Sequence, residues 1–350
     1  MRNRLPVVIT EYRLLWFKIC LFILFCVIGT STAAGVEILN GRIKLVLHED
    51  TGRFSLYYLI DMPQQRDINF WRYEPFFVTN DPRTSFLTVM INDRTYRLGD
   101  SPAFRMRIRQ SATNPTIIFE SSFLLVTQEF IFIKTAGSTM STGVRMNVRL
   151  ENRGPEIAAG LRFLLDTSLG EGSGTAPFTI GRELISTEFL IDSRRSDLYW
   201  VSRNSRFGLM GSIDAGEGSR PDTLHFANWK RLNEVPWVLA FTSGRNFNYL
   251  PYSINDSAVS YNFDPRPLAR GASRNYTILL AAADENGFFR VEDTLSSAPP
   301  AGSREEDLIA LRDLIGRLDS HLSGRQVLSD WELEEIETAI AALKARYGLR

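Results

Sequence analysis

Two acidic residues at the end of a hydrophobic run are the first candidates for chemistry. In "LRFLLDTSLGEGSGTAPF", residues 161–178, Asp166 closes the run and Glu171 follows among three glycines. Paired carboxylates serve glycoside hydrolysis, in which one protonates the leaving group and the other acts as nucleophile or base. They also bind calcium, although a loop site wants several oxygen ligands close together in sequence, and no D-x-D-x-D spacing is present.

The same loop also has a purely structural interpretation. Glycine supplies the positive φ of a wide turn, and an aspartate at a strand end hydrogen-bonds the backbone. No G-K-[ST] and no strand–loop–helix context follows, so the glycines do not predict a phosphate-binding loop. The sequence favours a turn, with the rim of a ligand site as the alternative. It predicts no catalytic residue, no metal site and no cofactor.

Aromatic residues are the strongest indication of binding. Trp229 and Trp237 lie in "FANWKRLNEVPW", and Tyr249 and Tyr252 lie in "FNYLPYSIN". Tryptophan and tyrosine stack on sugar rings and anchor protein partners, although in a β-sandwich they more often serve packing. The predicted ligand-binding residues are Asp166, Glu171, Trp229 and Trp237.

A search for other motifs narrows the function classes. The chain contains no serine elbow, HExxH, Walker or Rossmann motif. Both cysteines, Cys20 and Cys26, lie in the N-terminal apolar run, so the rest of the chain offers no thiol nucleophile or thiolate ligand. His225 is the one histidine near the aromatic segment, and we expect a single histidine to pack rather than to catalyse.

Composition and charge exclude two further classes. Of the 350 residues, 44% are hydrophobic, which is enough for a real core and excludes general disorder. The formal net charge is zero, whereas nucleic-acid-binding proteins usually carry a basic excess, so no nucleic-acid partner is predicted. The length suits two domains, or one large all-β domain with an appendage.

Residues 1–34 are typical of an export segment. A basic stretch precedes the apolar run "ICLFILFCVIG", residues 19–29, and "TSTAAG" offers the small residues that signal peptidase accepts. A spanning helix wants about 20 apolar residues, so a cleaved signal peptide and a retained membrane anchor both stay open. In either case we expect the body to be exported to the periplasm or cell envelope.

The pattern from residue 35 to residue 296 indicates antiparallel strands. In "GVRMNVRLENRG", residues 143–154, apolar and polar residues alternate, which predicts a strand with one solvated face. Many such short segments separated by turn residues predict a large two-sheet β-sandwich. Later strands are predicted at 186–191, 198–202, 207–213, 237–243, 258–263 and 275–283.

The spacing of apolar residues changes from a strand period to a helical period after a linker at residues 297–303, which contains paired prolines. Residues 304–348 then predict an αα-hairpin, because two segments each begin with a capping box and repeat apolar residues at a 3-4 spacing. We predict that this seam binds a partner. Its residues are Leu308, Leu311, Ile315, Leu318, Leu333, Ile336, Ile340 and Leu343.

A two-helix hairpin buries too little apolar surface to be stable alone, so the seam needs a third surface. That surface is the β-domain itself, a second copy of the chain, or another envelope protein. The sequence leaves these alternatives open.

Three stretches together resemble a family of exported bacterial β-sandwich domains without an assigned activity. They are "GLRFLLDTSLGEGSGTAPF", "LHFANWKRLNEVPW" and "DSAVSYNFDPRPLARGASRNYTILLA", in this order within residues 36–285. The resemblance implies a sandwich of the galactose-mutarotase-like or a similar type, and it brings no established activity.

Two functions follow as hypotheses. The first is an exported scaffold or binding protein without catalytic activity, which docks a partner or a second copy through its helical hairpin. The second is a carbohydrate-binding or carbohydrate-active protein, with its site where Asp166, Glu171 and Trp229 converge with the aromatic loops.

Overall fold

The computed structural model describes most of the predicted β-domain. The described residues are 35–61, 72–78, 81–135, 138, 140–171, 176–216, 219–283 and, near the C-terminus, Ile336 alone. The predicted export segment, the linker and the αα-hairpin lie outside the described residues, as does its seam from Leu308 to Leu343 apart from Ile336. Ile336 is helical and buried.

Nineteen strands in the described part of the chain pair antiparallel throughout. In chain order they are β1 Gly35–Asn40, β2 Ile43–His48, β3 Arg53–Asp61, β4 Arg72–Pro75, β5 Phe86–Ile91, β6 Arg94–Arg97, β7 Arg105–Arg109, β8 Thr116–Glu120, β9 Leu124–Ile133, β10 Gly143–Asn152, β11 Ile157–Thr167, β12 Phe178–Ile180, β13 Glu183–Ile185, β14 Phe189–Asp192, β15 Tyr199–Arg203, β16 Gly208–Ser212, β17 Thr223–Asn228, β18 Ser257–Leu268 and β19 Ser273–Ala282.

The strands form three sheets. A four-stranded sheet has the order β1-β2-β3-β4, a nine-stranded sheet the order β13-β12-β15-β16-β19-β10-β9-β8-β7, and a six-stranded sheet the order β14-β17-β18-β11-β5-β6. Two short helical elements accompany them, a 3₁₀ turn at Pro82–Thr84 and helix α1 at Trp229–Glu234. No helix among the described residues has the length and apolarity that a membrane crossing requires.

The alternating pattern of β10 has the predicted consequence. Its apolar residues, Val144, Met146, Val148 and Leu150, are fully buried, whereas Arg149 between them is exposed. The strand lies between β9 and β19, so its backbone groups are paired on both sides. The mainly β, antiparallel architecture predicted from the sequence is confirmed for the described residues, whereas the predicted number of two sheets is wrong, because the strands form three.

One continuous hydrophobic core joins the three sheets. Phe163 on β11 is fully buried and stacks near Tyr261 on β18 and Phe54 on β3, at centroid distances of 6.0 and 6.1 Å. The Trp200 indole donates a hydrogen bond of 2.7 Å to the Tyr261 hydroxyl, which links the nine-stranded sheet to the six-stranded one. A buried indole N–H and a buried phenol thus satisfy each other.

The opposite face of the six-stranded sheet is also covered. Successive residues of a strand point to opposite faces, so Arg162, Leu164 and Asp166 face away from the main core. Leu164 packs there in a second, smaller cluster with Leu232 of α1 and Ala258 of β18. The Arg162 guanidinium donates to the carbonyls of Leu232 and Val235 and to Ser260 Oγ, and thereby fastens the segment after β17 onto this face.

The strand predicted at 237–243 is wrong. These residues belong to the segment that covers the outer face of the six-stranded sheet, and none of them is in a strand. The backbone N–H of Thr242 donates to the Glu188 carboxylate at 3.0 Å instead of to a neighbouring strand. Val238 and Phe241 are nearly half exposed, so the apolar run reflects partial packing and not a sheet face.

Replacing Phe163 by alanine should destabilise the fold by about 3–5 kcal/mol, because it opens a cavity where rings from three strands meet. Urea unfolding followed by tryptophan fluorescence measures the change. Leu184→Ala is the matched control, since Leu184 is 67% exposed and its truncation should stay within about 0.5 kcal/mol. Equal losses in the two variants would contradict the placement of Phe163 in the core.

Candidate functional site

Asp166 lies at the end of β11, on the covered outer face of the six-stranded sheet. Its backbone is fixed on both sides, because its N–H donates to Ser85 Oγ at 2.9 Å and its carbonyl accepts from the Val78 N–H at 3.2 Å. The residue is 4% exposed. Among the described residues, its Oδ1 atom is buried without a hydrogen-bond partner.

Glu171 returns to the same place from the turn that follows β11. Its Oε1 accepts hydrogen bonds from the N–H and the Oγ of Ser257, at 2.8 and 3.1 Å. Ser257 begins β18, and its Oγ also donates to the Thr167 carbonyl, across a sequence separation of 90 residues. The turn at residues 169–171 therefore brings a second carboxylate beside Asp166.

A third carboxylate, Asp256, was not predicted from the sequence. It directly precedes β18, in which Ala258 pairs with Asp166. One carboxylate oxygen from each of Asp166, Glu171 and Asp256 lies within 4.8 Å of the other two. We call these three residues the acid triad. The sequence does show an aspartate just before a predicted strand. Only the pairing of β18 with β11 reveals that this aspartate lies near Asp166.

The acid triad concentrates negative charge in a poorly solvated place. Burial, together with the nearby Asp256 and Glu171 carboxylates, raises the pKa of Asp166 to about 7, against a hydrogen bond from Thr84. Burial likewise raises the pKa of Glu171 to about 7, although the bonds from Ser257 oppose this change. Burial also raises the pKa of Asp256. Among the described residues, no arginine or lysine is a named cause of these shifts.

This arrangement allows three kinds of chemistry. Carboxylates that titrate near neutral pH exchange protons readily. Three oxygens at this spacing can bind a cation. Carboxylates also accept hydrogen bonds from hydroxyl groups of a ligand.

Trp229 lies beside the acid triad, as predicted. It begins helix α1, its backbone N–H donates to the Asp256 carbonyl at 3.1 Å, and its indole N–H donates to the Thr84 carbonyl at 2.9 Å. The preceding residue, Asn228, caps the helix by accepting a hydrogen bond from the Arg231 N–H. The half-buried indole thus joins α1 to the 3₁₀ turn next to Asp166.

Trp237 does not belong to this site. Its ring packs against Gly160 of β11, where a Cβ atom would lie 2.9 Å from Trp237 Cζ2. Gly160 is six positions from Asp166, which corresponds to roughly 20 Å along a strand. With 8% exposure, Trp237 packs at the far end of the sheet, and the structure does not bring it together with Asp166 and Glu171; its role in ligand binding stays a prediction.

An exposed aromatic loop adjoins the acid triad instead. Tyr249 and Tyr252 stack with their ring centroids 5.6 Å apart, and the Lys230 ammonium lies 4.8 Å from the centroid of Tyr252. Tyr252 is 69% exposed, and Leu250 and Ile254 beside it are 71% and 69% exposed. We call residues 249–254 the aromatic loop.

The aromatic loop is tied to the acid triad through Ser253. Its N–H donates to the Tyr249 carbonyl at 3.0 Å, its Oγ accepts from Asn228 Nδ2 at 2.9 Å, and a side-chain hydrogen bond joins it to Asp256. One residue therefore closes the loop, contacts the helix cap and holds the third acid. This connection fixes the aromatic rings relative to the carboxylates.

His225 is buried on the outer face of the six-stranded sheet. Its pKa falls to about 4 because burial and the neighbouring Arg162 guanidinium both disfavour the imidazolium. Arg162 lies four positions before Asp166 on β11, roughly 13 Å along the strand. The segment that covers Arg162 closes this place, so His225 packs, as predicted, apart from the acid triad.

No protein-family model and no curated protein sequence matches the chain. Solved structures that match part of the chain include a protein assigned as a kojibiose phosphorylase, from the human microbiome, at 11% identity and a TM-score of 0.32 over 88% of this chain and 35% of that one. A polysaccharide lyase gives 9% identity and a TM-score of 0.38 over 72% of this chain and 34% of that one. A GH36 α-galactosidase from Geobacillus stearothermophilus gives 12% identity and a TM-score of 0.32 over 73% of this chain and 42% of that one.

The chain thus spans between a third and about two fifths of the length of these proteins. The resemblance to these carbohydrate-active enzymes is weak. At such identities and TM-scores it carries no information on the activity of this chain.

The raised pKa values predict an unusual dependence of stability on pH. The folded chain binds protons at Asp166 and Glu171 more tightly than the unfolded chain, whose values are 3.8 and 4.5. Their contribution to the free energy of unfolding is therefore fully present below about pH 4 and is lost as the pH rises through about 7. Asp166→Asn and Glu171→Gln cannot lose a proton, so each should gain stability relative to wild type over this interval.

Urea unfolding in chelator-treated buffer between pH 4 and pH 8 measures this gain. A pKa difference of one corresponds to about 1.4 kcal/mol, so the gain for Asp166→Asn should reach a few kcal/mol. Asp93→Asn, in the exposed turn between β5 and β6, is the control and should show no such trend. Parallel pH profiles for all variants and wild type would contradict the environment described for the two acids.

Proposed function

We propose that this protein is an exported, non-catalytic binding protein of the cell envelope, and that it binds a glycan where the aromatic loop meets the acid triad. The observation that carries the proposal is the stacked pair of the half-buried Tyr249 and the exposed Tyr252, fixed beside three carboxylates. Sugar rings present apolar C–H faces that stack on aromatic rings and hydroxyl groups that bind carboxylates. The aromatic loop offers rings for stacking, and the acid triad beside it offers carboxylates for the hydroxyl groups.

The exposure of the loop supports a binding role over a packing role. Leu250, Tyr252 and Ile254 are each about 70% exposed within five residues of chain, so they form a patch and are not scattered. Contiguous exposed apolar groups mark binding surfaces more often than single exposed residues do. The hydrogen bonds of Ser253 hold the loop in one shape, which lowers the entropy cost of binding.

A binding role is favoured over catalysis because Asp166 is almost inaccessible. A general acid or nucleophile must reach its substrate within hydrogen-bond distance, directly or through one water. Asp166 is 4% exposed and lies beneath the half-buried Trp229 and the 3₁₀ turn. A ligand at the aromatic loop would contact the outer edge of the acid triad without reaching this carboxylate.

Tyr252→Ala should weaken glycan binding about tenfold, because stacking beyond area burial contributes about 0.5–1.5 kcal/mol and the lost contact area adds to it. A screen of envelope polysaccharides and oligosaccharides, followed by calorimetry on the glycans that bind, measures the effect. Leu184→Ala is the control, since Leu184 is also about two thirds exposed but lies on β13 in another sheet.

Two outcomes would overturn parts of this proposal. Equal affinity for Tyr252→Ala and wild type would remove the aromatic loop from the glycan site. Sugar turnover by the wild type that disappears in Asp166→Asn and Glu171→Gln would show that the protein is an enzyme.

A role of the αα-hairpin in docking a partner is a second proposal, supported by the 3-4 spacing of apolar residues in the sequence. Leu311→Glu in the full chain should abolish self-association or partner capture, because a charge in the seam prevents its burial. Arg312→Glu, one position along, should not. Light scattering of the purified chain measures self-association. Pull-down from the envelope, followed by mass spectrometry of the captured proteins, measures partner capture. Equal behaviour of both variants would contradict the predicted docking role of the seam.

A further inference from the structure

The spacing of the acid triad matches the size of a coordinated ion. The three carboxylate oxygens lie within 4.8 Å of one another. Calcium binds oxygen at 2.3–2.6 Å, so two ligands on opposite sides of the ion are about 4.6–5.2 Å apart. One calcium ion can therefore contact Asp166, Glu171 and Asp256 at the same time. Magnesium binds oxygen at 2.0–2.1 Å and demands a near-ideal octahedral geometry, which a flexible calcium shell does not.

An independent observation points to a ligand in this place. Asp166 is 96% buried, and its Oδ1 has no hydrogen-bond donor among the described residues. A buried carboxylate oxygen without a partner is costly, and such groups in folded proteins call for an explanation such as an ion. The carboxylate faces Glu171 and Asp256, so a cation held by those two would also satisfy Asp166.

The charge of the acid triad is not balanced by side chains. Other partly buried acids of the described chain pair with arginine, as Glu188 does with Arg231 and Glu74 with Arg206. The described residues place no such ion pair on the acid triad. A bound cation would supply the positive charge that the described side chains do not bring to these three clustered carboxyl groups.

The fold holds the three ligands before any ion binds. Asp166 is fixed by strand pairing, Glu171 by two hydrogen bonds from Ser257, and Asp256 by Ser253 and by the Trp229 N–H on its carbonyl. The ligands come from the end of β11, from the turn after it and from the residue before β18. A site spread in this way has no D-x-D spacing, which is why the sequence predicted no metal.

We propose that Asp166, Glu171 and Asp256 bind one divalent cation, with calcium as the ion that fits best. Water and nearby hydroxyl or carbonyl oxygens would complete the six to eight ligands that calcium takes. The ion would fix the base of the aromatic loop through Asp256 and Ser253. The inference deepens the proposed function and rests on it for the role of the site, but cation binding is measured without any glycan.

The test uses the full chain, treated with chelator and dialysed, and titrated with calcium chloride by calorimetry at pH 7. One equivalent should bind with a Kd on the order of 0.1–1 mM, as in extracellular calcium modules, and 10 mM calcium should raise the Tm by about 5 °C. Magnesium should bind at least tenfold more weakly.

Asp256→Asn tests the location of the site, because Asp256 is the acid furthest from the core. It should weaken calcium binding at least tenfold. Asp264→Asn is the matched control, since Asp264 lies on β18 eight positions away and burial also raises its pKa. Its affinity for calcium should equal that of the wild type.

Two results would overturn the inference. They are the absence of calcium binding by the folded wild type, and equal affinities of wild type and a folded Asp256→Asn. If Asp256→Asn does not fold, Glu171→Gln takes its place and should likewise weaken calcium binding at least tenfold. Glycan titrations with chelator and with calcium then separate the two proposals. Calcium binding without glycan binding contradicts only the proposed function. Glycan binding without calcium binding contradicts only the cation site.

Discussion

The antiparallel pairing of β11 with β18 determines both faces of the six-stranded sheet. On the inner face it sets Phe163 beside Tyr261 in the main core. On the outer face it sets Asp166 opposite Ala258, so that the residues flanking these two positions supply Glu171 and Asp256. A slip of one residue would exchange the faces, burying carboxylates in the main core and exposing phenylalanines. The core and the candidate site therefore depend on the same register.

Arg162 supports this arrangement from the middle of the outer face. Burial lowers its pKa to about 10, and its guanidinium donates to two carbonyl groups of the covering segment and to the Ser260 hydroxyl of β18 instead of to a carboxylate. A buried arginine that is satisfied by carbonyls binds one backbone conformation and discriminates against others, because any other path leaves donors unpaired. Helix α1, and with it Trp229, is held above the sheet by this contact.

Local patterns in the sequence were enough to predict the strands and two members of the acid triad. The alternation in β10 is strong because each of its apolar residues is fully buried, and Asp166 and Glu171 are conspicuous at the end of an apolar run. Asp256 was missed because its proximity depends on a pairing across about 90 residues, which no local pattern encodes.

Trp237 and the strand predicted at 237–243 lie elsewhere than the sequence suggested, for a related reason. Trp237 and the residues around it are apolar, and apolarity predicts burial without saying against which surface. The structure places the Trp237 ring against Gly160, at the far end of β11. The run at 237–243 has the composition of a strand, but the backbone N–H of Thr242 donates to a side-chain carboxylate and not to a neighbouring strand. Tertiary contacts decided both cases.

The hydrogen bond from Ser257 to Thr167 closes a loop of 90 residues. Bringing the ends of such a loop together loses chain entropy before the contact between them forms. This pairing therefore belongs to the slow, non-local part of folding. The acid triad consequently does not exist in the unfolded chain, where its members are ordinary, separately solvated acids. A chain that crosses a membrane unfolded would carry no assembled site, and the site would form only in the compartment where the chain folds.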